Sequence, residues 1–293
     1  MSVDLSMLAP LRKPRVSFEF FPPKTPASEA ALESTGRRLA AYGPGFMSVT
    51  YGAGGSTRDR SIRTAERLGQ KTGVPVAGHL TCVGASRQEV DDVARAYWEA
   101  GVRHIVALRG DAPDMKAGFV AHPDGYRSAA ELVRGLRDVA PFEISVAAYP
   151  EVHPEAQGAQ ADLDNLRRKL DAGATRAISQ FFFTPEAFLR FRDAAIAAGI
   201  TAEIVPGILP IGNVSQARKF AGMCGAHIPD WLLRQVSDLE EQPEICAQIT
   251  TALAAMMCRA LQQHGVESFH IYTLNRAEPG IALCRLLGLE DAN

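Results

Sequence analysis

One carboxylate lies where a carboxylate is costly. Glu19 sits in RVSFEFF (15–21), between Phe18 and Phe20 and just before Phe21, Pro22 and Pro23. Side chains alternate along a strand, so Ser17, Glu19 and Phe21 share one face while Val16, Phe18 and Phe20 share the other. The apolar set belongs against helices, which turns Glu19 inward. Desolvation disfavours the charged form of a carboxyl, and a carboxyl so tuned can donate a proton near neutral pH. The other reading is a structural ion pair with an interior arginine. The same parity pairs Ser48 with Thr50, His79 with Thr81, Arg109 with Asp111, and Ser145 with Tyr149. Any one Ser or Thr reads as a satisfied structural hydrogen bond. Glu19, His79, Arg109 and Asp111 taken together read as a site, because a buried polar group without a partner is costly.

Further groups cluster at run ends. The segment AAYPEVHPEA (147–156) carries two prolines and presents Tyr149 and His153 on a stiff loop. Asp162, Asn165, Arg168 and Lys169 follow, and Asp162, Asn165 and Lys169 are spaced to share a helix face. A solvated face is the default reading; the basic pair Arg168 and Lys169 suits a diphosphate. In YGAGGST (51–57) the glycines would admit a ligand to the backbone, and helix-start N–H groups favour anions. The third glycine of a dinucleotide fingerprint is missing there and no such fingerprint occurs elsewhere, so any nicotinamide is not bound in the Rossmann manner. Gln180, opening QFFF (180–183), has paired donor and acceptor groups for a heterocycle, whereas Phe181, Phe182 and Phe183 read as core. Arg276 in TLNRAE suits a carboxylate tail, or merely pairs with Glu278.

These residues need a scaffold that brings run ends together. Eight short β-type runs alternate with amphipathic stretches: 15–21, 46–52, 76–82, 104–110, 143–149, 176–183, 202–208 and 268–274. Helices are expected over 27–40, 58–71, 87–100, 162–172 and 185–198. Gly73, Gly101, Gly173 and Gly199 mark helix ends, and Pro185 marks a first turn. Eight β-then-α units predict a (β/α)8 barrel of the α/β class, with an open doubly wound sheet as competitor. Catalytic groups in such barrels gather at the C-terminal ends of the strands. Between the seventh and eighth strands, 228–242 reads as short helices or loop and 245–264 as an extra long helix. Residues 1–14 read as an N-terminal extension of one domain spanning 1–293.

The bulk numbers remove other classes. A net charge of −2 over 293 residues gives no general attraction to nucleic acid or anionic membrane. There is neither a signal-peptide core nor an apolar run near the ~20 residues that span a bilayer, so a cytoplasmic protein is expected. Five dispersed cysteines without a CxxC pair argue against a disulfide scaffold or zinc site; most should be buried as small apolar groups. A metal-dependent barrel hydrolase or aldolase using Glu19, His79 and His153 stays open, as does a non-catalytic barrel that binds a flavin or folate.

Together, SFEFFPPKT, LRGD, AAYPEVHPEA, GILPIGN (207–213) and FHIYTLNRAE make residues 15–289 resemble bacterial methylenetetrahydrofolate reductases. The resemblance implies FAD as bound cofactor and NADH or NADPH as electron donor. It implies reduction of 5,10-methylenetetrahydrofolate to 5-methyltetrahydrofolate, and a homo-oligomer. By that resemblance Glu19 is the general acid that helps protonate N10 and open the ring to a 5-iminium cation, which accepts hydride from reduced flavin. Asp111 matches the acidic residue between flavin and pterin. Gln180, Gln216 and Arg276 match substrate contacts, and Phe220 an aromatic packing on nicotinamide or folate. The FAD positions are Thr50, Tyr51, Ala53, His79, Arg109, Gly110, Asp111, Tyr149, His153, Ala156, Asp162, Asn165, Arg168 and Lys169. This converts the 162–169 helix face from solvated surface to diphosphate and adenosine site. The 112–126 segment, with His122, is longer than expected, and the chain ends without room for the regulatory C-terminal domain of eukaryotic relatives.

Overall fold

The computed structural model describes residues 12–52, 58–111, 119–239 and 241–292. Eight parallel strands close on themselves in sequence order. They are β1 Arg15–Phe20, β2 Phe46–Val49, β3 Val76–Thr81, β4 His104–Leu108, β5 Glu143–Ala148, β6 Arg176–Phe181, β7 Glu203–Ile208 and β8 Ser268–Tyr272. β1 pairs with both β2 and β8, which seals the barrel. Around it run α1 Pro26–Ala40, α2 Arg58–Thr72, α3 Arg87–Glu99, α4 Ala129–Val139, α5 Ala159–Asp171, α6 Pro185–Ala197, α7 Val214–Cys224, α8 Asp230–Val236, α9 Pro243–Gln263 and α10 Ala277–Leu286. The (β/α)8 reading therefore holds, and the open sheet is excluded by closure.

Alternation works as expected in β1. Val16, Phe18 and Phe20 are buried in the main core between strands and helices, with Leu39 of α1 and Leu283 of α10. The opposite face points into the barrel, where Ala77, Val106 and Ile178 form a small separate cluster with Phe46 and Leu108. Helix starts are fixed locally. Ser86 caps α3, accepting from the Glu89 N–H while the Glu89 carboxylate accepts from the Ser86 N–H. Thr25 and Ser28 do the same for α1. Pro185 is in the first turn of α6, and Gly73 and Gly101 end α2 and α3 at φ +70° and +83°.

Three local readings need correction. All strands but β7 stop one to three residues before the ends of their apolar runs, so Thr50, Arg109, Asp111 and Tyr149 belong to mouth loops. Helix α5 starts at Ala159 rather than 162, which places Asp162 in its first turn. Helix α7 departs from the expected pattern; Asn213 caps it by accepting from the Gln216 N–H, and its short sequence mixes Ser, Gln, Arg and Lys with apolar residues. The long helix expected over 245–264 is present as α9, and α8 with a short 3-10 turn, Ser237–Leu239, fills the preceding stretch. Among the described residues, no helix is long and apolar enough to cross a membrane. All five cysteines are free thiols, and all but the half-buried Cys224 are buried.

Candidate active site

Inside the barrel, β1, β3 and β8 converge on one carboxylate oxygen. His79 Nε2 lies 3.4 Å and His270 Nε2 3.5 Å from Glu19 Oε2. Both are close contacts that are ionic only when the imidazole is protonated, and neither nitrogen meets hydrogen-bond geometry, so two buried ring nitrogens face Glu19 without another partner. Glu19 thus points inward, and its neighbours are imidazoles rather than the arginine of the alternative reading. The His79 pKa is lowered by burial, with Glu19 pulling the other way. One layer deeper, His104 Nε2 and Ser145 Oγ lie 2.8 Å apart, and burial, with Arg176 near, pushes His104 down to about 3. Ser17 Oγ lies 2.7 Å from His270 Nδ1. Ser48 and Thr81 hydroxyls lack partners within the barrel.

Above this cluster the mouth is tied together by β8 and the turn after it. Thr273 Oγ1 donates to the Glu19 carbonyl at 2.6 Å. Asn275, in the left-handed region at φ +61°, accepts from the Phe21 N–H at 2.8 Å and donates to the Phe21 carbonyl at 2.9 Å. This clamp sets the position of Arg276, whose guanidinium lies against Gly212 in the β7–α7 loop. Arg276 does not need Glu278, which is held by Arg38 at 2.6 Å. Tyr272 donates to the Ser179 carbonyl at 2.8 Å. Its hydroxyl pKa is raised strongly by burial, then by Glu19, Tyr149 and Cys224. Tyr272 therefore stands between the inner carboxylate and the outer rim.

That rim opens into a cleft of about 380 Å³ between the ends of β4 and β5 and helix α5. Arg109, Gly110, Asp111, Tyr149, His153, Ala156, Asp162, Asn165, Arg168 and Lys169 all line it. The α5 face that reads as ordinary surface by spacing is thus a cleft wall. Asp162 is buried and accepts from the His153 N–H at 2.9 Å, which pins the proline-flanked loop. The Lys169 ammonium is buried and donates to the Ala147 carbonyl. Burial draws its pKa down to about 8 against the opposing pull of Asp162. Arg109 pairs with Glu155 at 2.6 Å and lies over the Phe119 ring. The edge of Tyr149 meets His153, and its hydroxyl pKa is raised by burial and by Asp111.

The parity argument fails at Asp111. Gly110 has φ +84°, which breaks the alternation beyond β4, and Asp111 is exposed on the cleft rim rather than inside the barrel. It nevertheless acts on Tyr149 and on Cys224, whose thiol burial pushes up to about 11. Gln180 lines the same small pocket as Cys224 and Tyr149, so Gln180 and Asp111 face the same rim. Gln216 is exposed in the first turn of α7, and Phe220 packs on the apolar cluster under that helix. Thr50 donates through its N–H to the Phe20 carbonyl, and Tyr51 is half-buried. Ala53 and residues 112–118 lie outside the described residues. His153 is surrounded by Arg109, Asp162, Glu155 and Asp111 rather than by Glu19 and His79, so the proposed metal triad does not assemble. Among the described residues no three His, Cys, Asp or Glu side chains are spaced to hold a metal ion. The sequence reading missed His270 and Tyr272, although the alternation in SFHIY that exposes Glu19 applies to them equally.

Known proteins share both the sequence and the fold. A family model described as Methylenetetrahydrofolate reductase matches residues 6–288. The 5,10-methylenetetrahydrofolate reductase of Pectobacterium carotovorum subsp. carotovorum is 51% identical over 274 residues, covering 94% of this chain and 90% of that protein. The 5,10-methylenetetrahydrofolate reductase of Escherichia coli (strain K12) is 50% identical with the same coverage. A solved structure from Clostridium thermocellum, an uncharacterized protein described as binding two copies of 5-methyl-5,6,7,8-tetrahydrofolic acid, has a TM-score of 0.67. It covers 98% of each chain at 16% identity, a likeness of fold.

Proposed function

The chain belongs to the methylenetetrahydrofolate reductase family, and on that premise we propose that it reduces 5,10-methylenetetrahydrofolate to 5-methyltetrahydrofolate with FAD as resident cofactor and NADH or NADPH as donor. The observation that carries this reading is the pairing of an inward carboxylate faced by two imidazoles with a cation-lined cleft at the ends of β4 and β5. Arg109, Arg168 and a buried Lys169 on one cleft suit a diphosphate, and the cleft volume of about 380 Å³ suits part of a dinucleotide. The donor set therefore fits FAD. Arg109, Gly110, Tyr149, His153, Ala156, Asp162, Asn165, Arg168 and Lys169 would hold it, joined by Thr50, Tyr51, Ala53 and His79. When bound, the flavin supplies a two-electron hydride store.

The chain's own residues do the rest. Glu19 gives a proton from Oε2 to the folate ring nitrogen N10, which opens the five-membered ring to a 5-iminium cation. Asp111, an exposed carboxylate on the rim, stabilises that cation through space. Gln180 reads the pterin edge through its amide. Gln216, Phe220 and Arg276, all on the α7 side of the mouth, hold the aminobenzoyl-glutamate end, with Arg276 meeting a carboxylate. The folate-binding description of the Clostridium thermocellum structure agrees with a folate substrate. Exposed Trp231, Ile245 and Met256 on α8 and α9 suit the expected homo-oligomer.

The test is spectroscopic. The purified protein should be yellow, should be bleached without oxygen by NADH or NADPH, and should regain colour on adding methylenetetrahydrofolate. Glu19→Gln should still bleach but fail to recover colour with folate. Normal folate turnover by Glu19→Gln would remove the acid assignment.

A further inference from the structure

We propose that His270, fixed in one tautomer by Ser17, is a positioning residue for the acid, its Nε2–H holding the Glu19 carboxylate once the proton has left for folate. This rests on the reading of Glu19 as proton donor. His270 is fully buried on β8, in register with Ser17 of β1. Its ring is constrained on several sides. Phe46 stacks on it at 5.7 Å between centroids with 20° between planes, and Tyr272 meets it edge-on at 5.4 Å. Its Nδ1 lies 2.7 Å from Ser17 Oγ, and its Nε2 lies 3.5 Å from Glu19 Oε2 with no hydrogen bond made elsewhere. A histidine that merely filled space would not leave a buried ring nitrogen without a bond, which costs free energy.

The tautomer follows from one hydroxyl proton. Ser17 Oγ has two acceptors in reach, His270 Nδ1 at 2.7 Å and the Phe269 carbonyl at 3.5 Å. Donation to the carbonyl makes a bond at the limit of length. It also puts the ring proton on Nδ1, so the Nε2 lone pair would face an ionised carboxylate. Donation to Nδ1 makes the short bond and puts the proton on Nε2, facing Glu19 with attraction. Both considerations select the same tautomer. In turnover the proton passes from Glu19 Oε2 to the folate nitrogen, and the carboxylate left behind is met by Nε2–H; His270 itself gains and loses nothing.

Nitrogen-15 NMR of the histidine-labelled holoenzyme in alkaline buffer shows which nitrogen carries the proton. The proposal expects Nε2–H with Nδ1 unprotonated, and a mixture of tautomers in Ser17→Ala. Nδ1–H in the natural protein overturns it, and this readout stands even if Ser17→Ala does not fold. In stopped-flow, Ser17→Ala should slow recolouring by folate about tenfold, the scale of one hydrogen bond to a charged group. Bleaching by NADH or NADPH should keep its rate. Equal slowing of both halves means a structural role and overturns the proposal. Because the NMR experiment needs no folate turnover, its failure is separable from failure of the acid assignment, which Glu19→Gln tests.

Discussion

Replacing Lys169 with methionine should stabilise the cofactor-free protein at pH 7 while weakening FAD binding. Lys169 is 5% exposed, its ammonium facing Ala147 from within the cleft wall, so solvent screening does not dilute its burial. Its pKa falls from an ordinary 10.5 to about 8, because burial outweighs the help of Asp162. That depression corresponds to about 3 kcal/mol of cost for keeping the charge inside. Below pH 8 the ammonium is protonated in both folded and unfolded chains, and the whole cost is present. Between pH 8 and 10.5 the unfolded chain binds the proton and the folded chain releases it, so stability rises with pH across that window. Met keeps the length and apolar stem and removes the charge, but the Ala147 carbonyl loses a donor worth about 1 kcal/mol. The net expectation is a gain of about 2 kcal/mol at pH 7, fading toward zero or below by pH 10.5. Urea denaturation of both cofactor-free proteins from pH 7 to 10.5 gives a difference curve in which other titrations cancel. A bound diphosphate supplies the missing counter-charge, so FAD affinity should fall at least about tenfold in the variant, read by flavin fluorescence. Parallel stability curves, or a variant less stable at pH 7, would refute the view that Lys169 is held charged for an anionic ligand.

Two further substitutions probe the mouth, with a third as control. At Gly207 an added Cβ would run into the Ser179 carbonyl and lie 2.6 Å from the Tyr272 ring, so Gly207→Ala should cost roughly 1–3 kcal/mol or more of stability, read by denaturant unfolding; Gly222→Ala, which meets open space in α7, should be neutral or slightly stabilising. Asn275→Gly keeps the left-handed backbone but removes both bonds to Phe21, so folate KM should rise severalfold through loss of the Arg276 position, with the rate of bleaching by NADH unchanged.

What the sequence disclosed follows from where physics is local. The eight runs and their alternation depend on residues a few positions apart, so β1 and its inward Glu19 were legible, as were the caps and the long α9. The mouth was less so, because backbone turns there override alternation. A φ of +84° at Gly110 is enough to send Asp111 to the surface, and Gly158 at φ +103° starts α5 early, bringing Asp162 round to the His153 loop. His270 went unnoticed for a different reason. Alternation alone turns His270 inward, but its partner comes from register across the closing seam, where Ser17 of β1 stands opposite His270 of β8, residues more than 250 positions apart.

The proposed function poses an electrostatic conflict that the barrel would resolve. A site that binds a diphosphate needs cations, while a proton donor is disabled by a cation at contact, since an adjacent arginine favours the ionised carboxylate. The strand order keeps them apart. The cations Arg109, Arg168 and Lys169 come from the β4 and β5 ends and α5, and Arg109 is further occupied by Glu155. Glu19 is reached from β3 and β8, where the contacting groups are His79 and His270. Tyr272 lies between the two parts, with its hydroxyl kept protonated by burial and committed to Ser179. An arginine placed at position 270 would satisfy Glu19 better in the static fold and, on the proposed reading, should abolish folate reduction while leaving bleaching by NADH or NADPH intact. On the proposed reading, the imidazole shell leaves Glu19 without a full cation at contact.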